Sequence, residues 1–193
     1  MENDLADIII KYNICFVRRG DEILLLNREF APWMGSWNGV GGKLEKGEEP
    51  REAMIREIAE ETNIKRDQYR LHYKGMITWN DDDTSFGGMY LYVAEVPASF
   101  AYPTPLQTDE GILQWKTVGW IMDGNNGGVV SNIPRFLETA LNDPECYEHH
   151  CYYRNDELVT LSSNRIDPLT ETDRPLRETY LRDKHRGVLA IGK

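Results

Sequence analysis

Three glutamates, Glu57, Glu60 and Glu61, stand at positions i, i+3 and i+4 of the stretch GGKLEKGEEPREAMIREIAEETNI, residues 41–64. A helix turns once every 3.6 residues, so these carboxylates share a face. Like charges so placed cost roughly 0.2–0.5 kcal/mol per pair, and something must offset that cost. One reading is a solvated acidic face. A second is an ion-pair ladder through Arg56, which has Glu52 and Glu60 four residues to either side. A third is a ligand set for a hard divalent cation such as Mg2+ or Mn2+, which takes carboxylate and carbonyl oxygens. The preceding loop favours the third. Gly41-Gly42 permits close backbone approach, Gly42 is spaced to offer its carbonyl oxygen, and Glu45 lies in the same loop. Arg56 cannot neutralise all three glutamates; its expected role is to brace the loop through Glu48 or Glu52.

The elements that must position these groups are readable in outline. Pro50 suits the first position of a helix, and Glu48, Glu49 and Glu52 suit its positive end. The helix is expected over 50–62, with Ala53, Met54, Ile55, Ile58 and Ala59 as its apolar side. Asn63 follows, a residue that tolerates the left-handed conformation that ends helices. Ahead of it, 7–17 and 22–28 read as strands joined by Arg19-Gly20-Asp21. A Gly- and Trp-rich loop runs from there to Pro50. Two strands, 69–79 and 86–96, flank the acidic tip DDDTS. Prolines mark 97–111 as loop. A strand at 112–118, a short helix at 133–142 and a last hairpin turning at Arg154-Asn155-Asp156 complete the pattern. His149 and His150 in that hairpin point to opposite faces and read as structural or surface residues. The alternation implies an α/β (α+β) sandwich around a mixed sheet. It places one domain over 1–165, followed by an extension, 166–193, whose structure the pattern does not specify.

Composition narrows the classes. The chain has 193 residues, 40% apolar and 28% charged, enough for one cored domain. No apolar run approaches the ~18 residues of a membrane span. The acidic start MENDLADIII is unlike a secretory signal, which points to a cytoplasmic protein. Three cysteines, Cys15, Cys146 and Cys151, fit a reducing compartment. A formal net charge of −10 argues against duplex nucleic acid as a partner. The expected partner is a small-molecule nucleotide, with no membrane; a homodimer is left open.

The 41–64 stretch resembles the Nudix hydrolase signature: Gly, five residues, Glu, seven residues, then Arg-Glu-apolar-x-Glu-Glu-x-Gly-apolar. Here it runs Gly42, Glu48, Arg56, Glu57, Ile58, Glu60, Glu61, Asn63, Ile64, with Asn63 where the family has Gly. The resemblance implies hydrolysis of a nucleoside diphosphate linked to another moiety. Glu57, Glu60 and Glu61 would hold Mg2+ (or Mn2+) with the Gly42 carbonyl, and Glu48 and Arg56 would form a structural pair. Diphosphate cleavage requires neutralised phosphate charge and an activated water, and bound divalent ions supply both. A neighbouring glutamate can take the water's proton: Glu60 or Glu61, or Glu110 from the distant QTDEG loop.

The preceding segment WMGSWNGVGGKLEKGE is similar to the MutT-like branch that hydrolyses oxidised purine triphosphates such as 8-oxo-dGTP. In that branch Asn38 would read the base and Arg28 would contact phosphate; Trp33 and Lys43 join them as substrate-binding candidates. Lys43 is also expected to pair with a carboxylate of the signature. Phe30 and Trp120 are further stacking candidates, and Arg18 is a weaker phosphate candidate. The paired aspartates of the animal-type enzymes have no counterpart: MDGNNGG offers only Asp123, with Asn125 or Asn126 as substitutes. Rival readings are a Nudix hydrolase of ADP-ribose or dinucleoside polyphosphates, a non-cutting nucleotide sensor, and an isoprenoid diphosphate isomerase. The last would need a reactive cysteine, with Cys15 the candidate.

Overall fold

The structure is a computed structural model that describes residues 10–81 and 85–191. Its sheet has nine strands: β1 (Tyr12–Arg19), β2 (Glu22–Arg28), β3 (Trp37–Asn38), β4 (Arg70–Asp81), β5 (Ser85–Glu95), β6 (Leu106–Thr108), β7 (Gly111–Thr117), β8 (Cys146–Arg154) and β9 (Glu157–Ile166). Their order is β6-β7-β2-β1-β5-β4-β8-β9, with β3 on β2. The β1–β5 and β4–β8 pairs are parallel and the others antiparallel. Helix α1 (Pro50–Thr62) and helix α4 (Arg174–Ile191) cover one face. Helices α2 (Val118–Met122) and α3 (Ile133–Asn142) cover the other. Both faces being covered explains why β1 and β2 are buried along unbroken runs instead of alternating.

The expected elements stand close to where the sequence puts them. Helix α1 begins at Pro50 and ends where Asn63 takes φ 58°, its N–H donating to the Ala59 carbonyl at 2.9 Å. The last hairpin turns on Asn155 and Asp156, both with positive φ. One departure is β6, a short strand inside the expected proline loop, recruited by pairing with β7. The expected strand start at 7–9 and the tip residues 82–84 lie outside the described residues.

Residues 168–191 form a layer on the same sheet. Glu171, in a 3₁₀ turn (Pro168–Glu171), is gripped by Arg51 of α1 through Nε (2.8 Å) and Nη2 (2.9 Å), and accepts the Tyr92 hydroxyl at 3.0 Å. Leu181 enters the core shared with Met54 and Ile58. Glu148 on β8, fully buried, accepts Lys184 at 3.1 Å, Tyr180 at 3.1 Å, Asn164 at 3.3 Å and the Thr78 hydroxyl. Buried carboxylates require such partners.

His149 and His150 are structural and face opposite sides. His149 stacks on Phe136 and bonds Ser163 at 2.7 Å; His150 bonds Thr78 and Asn80. Burial pushes the His149 pKa down to about 4. The unfolded chain therefore binds a proton there more readily, and this contribution to stability is lost as pH falls from 6.5 toward 4. His149→Leu is expected to lose less stability than wild type between pH 7 and pH 4.5, read by urea titration at each pH. Leu181→Ala should cost about 2–5 kcal/mol as a buried truncation, whereas the exposed Arg182→Ala should stay within about 0.5 kcal/mol; denaturant midpoints test both.

Candidate active site

The site is built around Arg56. Its Nε and Nη2 fork the Glu48 carboxylate at 3.0 and 2.9 Å. Its Nη1 meets Glu57 and Glu60, each at 2.9 Å, and Nη2 also reaches the Lys43 carbonyl at 3.2 Å. The guanidinium holds the Glu48 carboxyl below its usual pKa. Glu48 also accepts the Glu45 N–H at 2.9 Å. One cation thus staples the glycine loop to α1. Bracing through Glu48 agrees with expectation.

The loop lies directly on the helix. A Cβ at Gly42 would fall 2.6 Å from both carboxylate oxygens of Glu57, so any larger residue there would push that carboxylate from its place. The Gly41 N–H donates to Glu61 at 2.9 Å. The Gly42 carbonyl accepts the Asn13 N–H at 2.9 Å, and the Gly42 N–H donates to the Asn13 side chain at 3.1 Å. That carbonyl is therefore already engaged with β1.

A cavity of about 690 Å³ opens here, within the range of small-molecule sites. It is lined by Glu57, Glu61, Gly41, Gly42, Arg28, Lys43 and Glu110, and by Ile14, Trp79, Met89, Asn132, Tyr153 and Asp156. Asn38 and Trp33 also line it. Burial pushes the Glu61 pKa up to about 8, reinforced by the charges of Glu57 and Glu110 and opposed by the Gly41 N–H and Arg28. Burial likewise raises the Glu57 pKa. Arg28 is anchored through Nε to the Pro32 carbonyl at 2.9 Å.

Several expectations are corrected. Glu60 meets Glu57 at the same Arg56 nitrogen but, with its side chain 59% exposed, does not line the cavity beside Glu57 and Glu61. Among the described residues no three carboxylates stand together as a ready ligand set. Glu45 is exposed and contributes its backbone N–H to the turn. Lys43 lines the cavity, but its carbonyl, through Arg56, is what meets the signature; among the described residues its ammonium forms no ion pair. Phe30 and Trp120 are exposed and are not in the cavity wall; Trp120 meets Trp37 edge-on. Arg18 caps the end of α3 through the Leu141 carbonyl at 3.0 Å. Asp123, Asn125 and Asn126 are occupied in their own turn. Cys15 is fully buried and its thiol pKa is pushed up, the opposite of an activated thiolate.

The donor set still suits a hard cation. Glu57 and Glu61 are two partly buried acceptors whose raised proton affinity reports negative charge that lacks full compensation. A divalent ion would supply that compensation. Glu60 would join after a rotamer change away from Arg56.

The NUDIX domain family model matches residues 11–122, more than half of the chain. The chain belongs to the Nudix family. A curated relative, the uncharacterized Nudix hydrolase YvcI of Bacillus subtilis (strain 168), is 34% identical over 113 residues, which are 56% of this chain and 66% of the relative. The alignment thus spans just under two thirds of that relative's length. The fold is similar to the MutT protein of Bacillus halodurans (TM-score 0.66, 24% identity, covering 81% of this chain and 98% of that one). It is also similar to the NUDIX domain of Shewanella oneidensis NrtR solved with ADP ribose (TM-score 0.55, 13% identity, covering 73% and 92%).

Within this Nudix chain the staple and the cavity are adjacent, so loosening one disturbs the other. Arg56→Lys keeps the charge but cannot fork Glu48 while reaching Glu57 and Glu60. It should lower kcat/KM for the best substrate by up to about 10²-fold while circular dichroism stays unchanged.

Proposed function

We propose that this Nudix hydrolase cleaves nucleoside triphosphates, oxidised purine nucleotides such as 8-oxo-dGTP being the favoured class, to a monophosphate and pyrophosphate. The observation that carries this reading is the continuous cavity. Its lining combines the Glu57–Glu61 pair with the aromatic side chains of Trp79 and Tyr153 and the amides of Asn38 and Asn132. Its size and lining suit a nucleotide laid with its phosphates over the glycine loop and its base between Trp79, Tyr153 and Met89. Asn38 and Asn132 offer amide donors and acceptors to a purine edge, and Asp156 offers an acceptor. The latter two supply polar readers from segments where the sequence offered none.

Glu57 and Glu61 would hold Mg2+ or Mn2+, with Glu60 recruited to them, and the metal would supply charge neutralisation and water activation. Of the backbone oxygens, the Gly42 carbonyl would have to share itself with the Asn13 N–H. Arg28, positioned by Pro32, reaches the phosphates. Glu61 is better placed than Glu60 to take the proton of the attacking water, because it lines the cavity. Glu110, which also lines the cavity, is the second candidate for that proton. Water oxygen bonds to phosphorus, the bridging P–O bond breaks, and pyrophosphate leaves.

Product release with Mg2+ should be measured over 8-oxo-dGTP, 2-hydroxy-dATP, canonical dNTPs, ADP-ribose and diadenosine polyphosphates. Pyrophosphate is expected fastest from an oxidised purine, and Glu61→Gln should lower that rate by about 10²–10⁴-fold. Turnover confined to ADP-ribose or dinucleotides would retain the metal helix and reject the substrate class. Binding without turnover would make the chain a sensor.

A further inference from the structure

Two glycines stand side by side within β5, Gly87 and Gly88. Glycine weakens a strand, because it orders a freer backbone and brings no side chain to pack. Inside a sheet it often marks a place where another group comes close. For Gly87 that group is an indole. Gly87 pairs with Trp79 of β4, and a Cβ on Gly87 would lie 2.5 Å from Cε2 and 2.6 Å from Cζ2 and Nε1 of Trp79. Carbon atoms in favourable contact stand about 3.5–4.0 Å apart. The ring therefore occupies the space that a side chain at position 87 would need.

Covering a bare glycine with an aromatic ring is a known device of sheets, and stability alone would account for the pair if Trp79 were enclosed. Trp79 is instead half-buried and lines the cavity. Met89, two residues along β5 and so on the same face as Gly87, lines it too. On its far side Trp79 pairs with Cys151 of β8, which is fully buried and has the Asn132 amide 3.8 Å from its sulfur. Asn132 and Tyr153 are also cavity residues. A ring pushed off Gly87 moves away from the sheet or toward β8. In both directions it takes space that Met89, Asn132 and Tyr153 now enclose.

We propose that Gly87 is a positioning residue for the base of the bound nucleotide, acting through Trp79. By carrying no side chain it lets the indole lie down on β5, and this keeps open the part of the cavity that receives a planar base. The inference rests on the reading of this cavity as a nucleotide site. Gly87 does not line the cavity itself. The phosphate-binding groups are independent of it: Glu57 and Glu61 are carried by α1, and the glycine loop is bonded to β1.

The test uses the full chain with Mg2+ and compares wild type, Gly87→Ala, Trp79→Leu and the double variant. It reads KM for the fastest nucleotide of the substrate panel, and the affinity for inorganic pyrophosphate by calorimetry. An alanine at 87 moves the ring by about 1 Å to restore ordinary contact. Gly87→Ala is therefore expected to raise KM by about 10-fold or more and to leave pyrophosphate affinity near wild type. Trp79→Leu raises KM by itself; adding Gly87→Ala to it should change nothing further, since no ring remains to be displaced. Four outcomes overturn the proposal. KM unchanged in Gly87→Ala means that the ring does not narrow the cavity. An equal rise from Gly87→Ala in both backgrounds means that Trp79 is not the intermediary. Pyrophosphate weakened as much as the nucleotide marks a general loss of structure. Wild-type protein that turns over no nucleotide of the panel rejects the functional reading as well, and is told apart because it fails before any variant is compared.

Discussion

A single guanidinium organises the chemistry. Arg56 sits in α1, yet its five N–H donors are spent on the loop as much as on the helix: two on Glu48, one toward the Lys43 carbonyl, and the rest on Glu57 and Glu60. Without a cation there, Glu48, Glu57 and Glu60 would repel, and the glycine loop would have no charged tether to the helix. With it, Gly42 is drawn onto Glu57 and Gly41 onto Glu61. The same guanidinium leaves Glu61 unneutralised, which keeps one carboxylate under electrostatic stress inside the cavity. The charge left uncompensated in the cavity is set by which glutamate Arg56 does not reach.

The second constraint acts on the helix from behind. Arg51 enters α1 one position after Pro50 and is locked to Glu171, itself held by Tyr92 and by the neighbouring turn that Arg177 braces. The acidic helix is therefore fixed by ion pairs at both flanks, one toward the loop and one toward the C-terminal layer. Carboxylates carried on so constrained a helix are presented to the cavity with little positional freedom.

Much of this was legible in the sequence because it is local. Pro50, the glutamate spacing, Asn63 and the Asn155-Asp156 turn are governed by neighbours within a few residues, and each stands where its chemistry predicts. The Glu48–Arg56 pair was legible for the same reason. What stayed hidden depends on distant segments. Asn132 and Asp156 reach the cavity only through the packing of α3 and the closing of the last hairpin. Trp120 and Trp33 look equivalent by type, yet one packs against Trp37 and the other lines the cavity. The tail looked patternless because its inward face mixes Leu181, which joins the core, with Arg177, Tyr180 and Lys184, polar groups that meet buried partners, Glu148 among them. Asn13 gave no signal: an asparagine in a strand reads as a defect until Gly42 is placed against it.

The cavity wall takes residues from Tyr12 to Asp156 and from both faces of the sheet. Such a chamber has no precursor in any local fragment. A chain that has formed its hairpins and α1 but not docked α3 would own the carboxylates and lack the part of the wall that Asn132 supplies. Loop-closure entropy makes contacts of such long sequence separation slow to form. The cavity is accordingly a property of the finished fold, with no smaller unit that contains it.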